Sequence, residues 1–499
     1  MIAQVLAQAF ESPTIDYHAL APEIVLVSFA ALLILLDVVL LEKGRTFISA
    51  LAGIGLLATM LPILTLAIDG TDRVMFGGAY VVDDFSLVMK AMFVLSGYVV
   101  VLLSTNYIAE GDYWENEYYG LLLASLTGMV MISSARDLIS IFVALELLSI
   151  PVYMMATWRK RDIRSNEAGL KYYLMGVFAS AVMLYGMSML YGTAGSTLLV
   201  DIGEAVGGEE TTSIVTLAVI FTIIGFAFKV SAVPFHYWAP DTYEGAPTPV
   251  TAYLSVASKA AGFVALLQLV MVGFYARDDV YEPVLWILAA ASMTVGNLLA
   301  LRQENVVRMM AYSGVAQAGF MLAPLAVAGK IGDDAVVATV TYLLIYAAMN
   351  LGAFAVIIAL ARKTGSATLD SFNGAFHYAP GLTVVMTLFL FSLAGIPPFG
   401  GWLAKFAVLA ALIDANTAAG VVLAVVAAVN SVIALYYYGG LARRMWAEEA
   451  PDGDLTPVRV PVSLVAALGL AAGLTLLFGV FPNLVSEVSD VSLISTLGG

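Results

Sequence analysis

Cysteine is absent from all 499 residues. That excludes a disulfide, a thiolate metal site and a cysteine-held iron–sulfur cluster within this chain. Histidine is nearly absent: His18, His236 and His377 stand far apart and form no metal-ligand pattern. Charge is scarce too. Asp, Glu, Lys and Arg make up 12% of the chain, against about 25% in a water-soluble domain. The net charge is −15, and no basic stretch could hold nucleic acid. No Lys or Arg precedes Pro22, so the positive n-region of a cleaved signal peptide is missing and none is expected.

What fills the chain is apolar: 61% hydrophobic residues and a mean hydropathy of +0.93. Crossing a bilayer as a helix takes about 20 apolar residues. Fourteen runs meet that length, at 23–42, 47–69, 84–105, 118–134, 138–157, 167–193, 213–234, 249–275, 283–301, 306–328, 335–361, 381–412, 418–442 and 461–482. Only short polar turns separate them. The expected fold is an all-α polytopic membrane protein, with residues 1–499 forming one membrane domain.

The loops after odd-numbered spans carry thirteen Lys and Arg, from Lys43 and Arg45 to Arg459, and those after even-numbered spans carry four. This excess marks the odd loops as cytoplasmic and places both termini outside. Five basic residues remain within spans: Lys90, Lys171, Lys229, Lys259 and Lys405. A charge at the centre of an inserted helix costs about 2.5–3.5 kcal/mol, so such residues face an interior or a wet cavity and tend to be functional. Lys90 lies near the start of its span, and snorkelling to the interface is the expected reading. Lys171 also begins a span and divides evenly between snorkelling and a relay role. Glu146, in the fifth span, could be a static hydrogen-bonding residue. With three further lysines deep in spans, an electrostatic switch becomes the stronger reading, because moving one charge changes the proton affinity of the next.

Pro234 cannot donate to the carbonyl of Val230, so the seventh span should break just after Lys229. Carbonyls freed there would favour a cation. The twelfth span carries a similar break at Pro397 and Pro398. Pro234, Phe235 and Trp238 recur as Pro398, Phe399 and Trp402, each 164 positions on. The seventh and twelfth spans then correspond, which suggests two five-span repeats, 118–275 and 283–442, of opposite orientation. Inverted repeats with broken helices are a signature of ion-transporting folds. Lys229 falls opposite Leu393 and Lys405 opposite Asp241, so the lysines are not repeat equivalents.

The runs Val233–Gly262, Ala144–Met155, Arg308–Met321 and Ala394–Phe406 resemble the antiporter-like subunits of proton-pumping NADH:quinone oxidoreductase, respiratory complex I. Within that family, Ser255 followed by Lys259, together with Lys405 in the twelfth span, resembles the subunit N branch. The resemblance implies a translocase subunit without its own redox centre, moving protons from the cytoplasm outward. It implies Glu146 paired with Lys229, Lys259 as the central relay and Lys405 as the terminal one. Lys171, His236, Ser255, Tyr312 and Gln317 are further candidates for the hydrophilic axis. FMN, iron–sulfur clusters, NADH and quinone are expected in other subunits. The implied partners are the lipid bilayer, neighbouring subunits M and K, and the lateral helix of subunit L, in a bacterial inner membrane. The rival reading is a subunit of an Mrp-type cation/proton antiporter, against which Ser255 stands where those proteins usually carry histidine.

Overall fold

The computed structural model describes residues 15–40, 45–110, 116–208 and 213–493. Helices α1 (Ala21–Leu40) and α2 (Arg45–Asp69) lead to a hairpin of β1 (Arg73–Met75) and β2 (Tyr80–Val82). Then come α3 (Asp84–Ala109), α4 (Asn116–Ser134), α5 (Leu138–Ala156), α6 (Ile163–Ala194) and the short α7 (Leu199–Val206). Next are α8 (Ser213–Lys229), α9 (Trp238–Gly245), α10 (Thr248–Gly273), α11 (Asp278–Ala300) and α12 (Val306–Leu322). The chain continues through α13 (Asp333–Thr364), α14 (Pro380–Ala394), α15 (Gly400–Asp414), α16 (Ala418–Ala447), α17 (Val462–Val480) and α18 (Pro482–Ser489).

The protein is mostly helical. Among the described residues, ten helices are long and apolar enough to cross a membrane, and three shorter apolar ones accompany them. Side chains set the boundaries. Asp83 closes a capping box with Ser86 at the start of α3, and Asp137, Asp162, Asn305 and Thr417 cap α5, α6, α12 and α16. Gly195 and Gly365 end α6 and α13 in the left-handed conformation.

Burial divides the helices. The apolar window of α10 is 100% buried and that of α13 94%, whereas α16 and α17 reach 33% and 28%. Two central helices are thus sheathed by others whose outer faces are apolar, as lipid requires. Helix α10 passes through a π-helical turn at Leu254–Ser258 and ends in a second at Leu269–Gly273. Such turns interrupt the regular ladder and recur at functional sites.

Both expected breaks are present. Helix α8 stops at Lys229 and α14 at Ala394, each followed by irregular backbone before α9 and α15. The peptide bonds preceding Pro234 and Pro398 are both cis. At the second break Gly401 lies against Ser392, so closely that a Cβ would come within 1.8 Å of the Ser392 carbonyl oxygen.

The turns between spans also hold the short β1–β2 hairpin and α7, within a mostly helical fold. Two expectations are corrected. Lys90 does not snorkel. It is fully buried, with Nζ 2.9 Å from Glu23 Oε1 and 3.0 Å from Tyr80 Oη. Lys90 has a carboxylate partner in the first helix, which sequence distance concealed. The carbonyls of the first break do not bind Lys229, as described below. Lys43 and both chain ends, which entered the orientation argument, lie outside the described residues.

Candidate proton-relay site

Lys229, Lys259 and Lys405 are buried, at 3%, 2% and 6% exposure, on α8, α10 and α15. Lys229 ends α8, yet its ammonium turns to α5 and donates to Ser149 Oγ. The rings of Tyr153 and Tyr172 flank it at 5.6 and 5.9 Å, at cation–π range. The carbonyl of Phe228, which accepts from Ser231 N at 3.0 Å, also accepts from Trp238 Nε1 at 3.0 Å. A ring on α9 can reach back across the break, which leaves the lysine available to a different helix.

Glu146 does not meet Lys229. Among the described residues no ion pair joins them, and Glu146 Oε1 accepts from Ser180 Oγ of α6 at 2.6 Å. The carboxylate lies one turn before Ser149 on α5, so both groups act along the same helix. Ser149 and Ser180 were absent from the sequence reading. A serine one turn from a glutamate inside an apolar span was the available signal.

Lys259 follows the first π-turn of α10 and donates to the carbonyl of Gly314 on α12 at 2.6 Å. A Cβ at Gly314 would lie 3.1 Å from Lys259 Nζ and 3.3 Å from Tyr346 Oη. Glycine at this point lets an ammonium, a carbonyl and a phenol share one space. Gly262, one turn past Lys259, lies against Lys229, and a Cβ there would come within 3.1 Å of the Lys229 Cβ.

Lys405 meets the carbonyl freed at the second break, donating to Ala394 O at 2.9 Å, with the ring of Phe320 4.8 Å away. The helix-end arrangement expected for Lys229 is therefore made by Lys405, at the C-terminal end of α14, where a cation is favoured. Gly395, at φ +91°, makes that geometry possible, since Lys405 Cδ would stand 2.7 Å from any Cβ there.

Gln317 joins these last two centres. One turn past Gly314, it donates to Leu393 O at 3.2 Å and to Tyr438 Oη at 3.2 Å, and accepts from Tyr342 Oη. Ser313 and Tyr438 share a further hydrogen bond. Ser255 is also within the polar interior, accepting from Asn350 Nδ2 at 2.8 Å. Tyr342, Tyr346, Tyr438 and Asn350 were missed because neutral tyrosines and amides in apolar runs look like packing.

The remaining candidates lie apart. Lys171 is 44% exposed and pairs with Glu167 and Asp241 at 2.8 Å each. Arg308 binds the same Asp241 at 2.8 Å and Glu244 at 3.1 Å, so this is a network at the helix ends. His236 lies in the first break, buried, with its ring 6.3 Å from that of half-buried Tyr312. Pro234, Pro397 and Pro398 are exposed at the breaks. Among the described residues no group of three or more His, Asp or Glu is arranged to hold a metal ion.

Two broken helices and buried lysines on three elements go with an antiporter-like class, which the family match defines. The family described as NADH:quinone oxidoreductase/Mrp antiporter, TM matches residues 135–431. The subunit N of NADH-quinone oxidoreductase from Trichlorobacter lovleyi is 37% identical over 97% of this chain and 98% of its own. A subunit N from Koribacter versatilis is 38% identical over 96% and 95%. A chain of respiratory complex I from Thermus thermophilus superposes with TM-score 0.78 at 32% identity, covering 93% of this chain and 98% of that one. A chain of the Mrp complex from Dietzia shares the fold at TM-score 0.81 with 21% identity, over 97% and 100%. The chain belongs to the NADH-quinone oxidoreductase subunit N family.

Proposed function

We propose that this chain is a proton-translocating membrane subunit of complex I, driven by quinone reduction in neighbouring subunits. The observation that carries the reading is the continuous polar set from Lys259 and Gly314 through Gln317 to the Leu393–Ala394 carbonyls and Lys405. Each of these lysines donates to one neutral oxygen, and among the described residues none forms an ion pair with a carboxylate. A change in a neighbouring charge can therefore move its proton. Glu146 and Lys229 act as the switch through α5, where Ser149 intervenes, rather than as a contact pair. Protons enter from the cytoplasm, load Lys259 and leave outward from Lys405.

The ten long apolar helices, the three shorter ones and α4 supply the fourteen spans of this reading, with α8 and α14 as the first halves of broken ones. Two inverted five-helix repeats account for the paired breaks. In this reading FMN, iron–sulfur clusters, NADH and quinone belong to other subunits, with subunits M and K and the lateral helix of subunit L as neighbours; the likeness to subunit N and to a complex I chain supports it. The Mrp fold alone does not favour cation exchange here, because full-length identity lies with subunit N. Proton pumping in membranes carrying Lys229→Met, Lys259→Ala or Lys405→Ala tests the relay. Pumping is expected to fall in all three while the complex assembles. Normal pumping stoichiometry with normal quinone reduction in all three would overturn it.

A further inference from the structure

Largely outside both repeats, α1, α3 and the hairpin, with Arg136 from the turn after α4, enclose a second set of buried charges that the relay does not use. Lys90 is fully buried, and Glu23, Tyr80, Asp83 and Arg136 are each below one-tenth exposed. Tyr80 Oη donates to Glu23 Oε1 and accepts from Lys90 Nζ at 3.0 Å, while Lys90 also meets Glu23 Oε1 directly at 2.9 Å. Asp83 Oδ2 pairs with Arg136 Nη2 at 2.7 Å. The hairpin covers them all: Tyr80 bridges to Ala135, and Arg136 N donates to Ala79 O at 2.9 Å.

The two pairs differ in what they leave over. Asp83 also caps α3 and is bonded through both oxygens. Glu23 uses only one: its Oε2 is buried and has no hydrogen-bond partner among the described residues. A bare carboxylate oxygen in the interior is costly and needs an explanation. A purely structural Lys–Glu pair would be expected to satisfy it. An oxygen that alternately holds and releases a proton, with water as carrier, accounts for it. The other titratable and charged groups around Glu23 are Lys90 and Tyr80, with Asp83 and Arg136 beyond. Burial and the adjacent Glu23 push the Tyr80 phenol well above its ordinary range, so Tyr80 remains a protonated bridge.

We propose that Glu23, Tyr80 and Lys90 form a second proton-exchanging site of this chain, opening to the side served by its Lys- and Arg-poor loops. A proton leaves Lys90 by breaking an N–H bond as Tyr80 Oη accepts it. The phenol passes its own proton to Glu23 Oε1, so Lys90 and Glu23 both end neutral. The neutral carboxyl then turns about its Cγ–Cδ bond, which carries the protonated oxygen to the unpartnered position; there its O–H bond breaks and the proton passes to water, and uptake follows the reverse order. This rests on the reading of the chain as a proton carrier, but its test does not pass through Lys259 or Lys405.

Infrared difference spectra of the assembled complex in proteoliposomes, recorded across a jump in external pH, report carboxyl protonation directly. The wild type should show a protonated-carboxyl band that is lost in the double variant Glu23→Gln with Lys90→Met, which removes both charges together and keeps the volume. Tyr80→Phe keeps both charges and the ring, and should retain the band while slowing its appearance. An unchanged band in the double variant, or an unchanged rate in Tyr80→Phe, would overturn the proposal. Either result leaves the Lys259 and Lys405 tests standing by themselves, so the two failures are distinguishable.

Discussion

At the scale of single residues, what matters is which oxygen each buried cation has found. Lys90 faces a carboxylate, whereas Lys229, Lys259 and Lys405 face a hydroxyl or a carbonyl. Removing one member of a buried ion pair typically costs about 3–5 kcal/mol, while replacing both by apolar groups is often neutral. Lys90→Met alone is therefore expected to reduce the amount of assembled complex, and adding Glu23→Gln should restore it; thermal stability in detergent checks both. Among the described residues Lys229, Lys259 and Lys405 form no ion pair with a carboxylate, so under the proposed relay Lys259→Met should assemble nearly as well as the wild type and lose pumping. Gly401→Ala presses a Cβ into the Ser392 carbonyl and should destabilise the second break by about 1–3 kcal/mol, as overpacking does. A lowered thermal midpoint with Lys405 intact measures it.

Elements behave as units because the breaks free short pieces to be held from several sides. Helix α9 carries Asp241 and Glu244, and through them it is tied to Lys171 of α6 and Arg308 of α12. Burial pushes the Asp241 carboxyl up, but the bonds from Lys171 and Arg308 outweigh it, so the net shift is downward. A carboxylate held below its ordinary value contributes stability above that value and loses it as pH falls through the lowered one. Hydrogen exchange within 238–245 should therefore quicken below about pH 4, where carboxylates ordinarily titrate. Asp241→Asn should produce the same quickening at neutral pH and remove its acid dependence; an acid response that persists in that variant would point to another group.

On the scale of the whole molecule, the uneven distribution of Lys and Arg sets which side faces the cytoplasm. The absence of cysteine makes this directly measurable. Single substitutions Arg302→Cys and Gly70→Cys, in otherwise cysteine-free chains, should label from opposite sides of sealed vesicles with a membrane-impermeant thiol reagent. Labelling of both from the same side would refute the orientation. The burial gradient from α10 and α13 out to α16 and α17 also matters here. The polar set is assembled around the two helices that lipid does not reach, where an ammonium can be separated from headgroups and kept for exchange.

The sequence by itself determined a helical membrane protein, the break after Lys229 and the burial of Lys259 and Lys405, because each follows from local chemistry. Run length selects a membrane helix, a proline removes a donor, and a lone charge in an apolar run must be sheltered. The subunit N likeness was legible for the same reason, in contiguous motifs. Partnership was not legible, since it joins residues remote in the chain. Only the tertiary structure decided that Glu146 turns to Ser180, that Lys229 turns to Ser149, and that Lys405 rather than Lys229 satisfies a break. It likewise decided that Lys90 lies buried against Glu23, 67 positions earlier in the chain. Hydropathy sees a charge and its apolar neighbours, and packing alone chooses the oxygen that receives it.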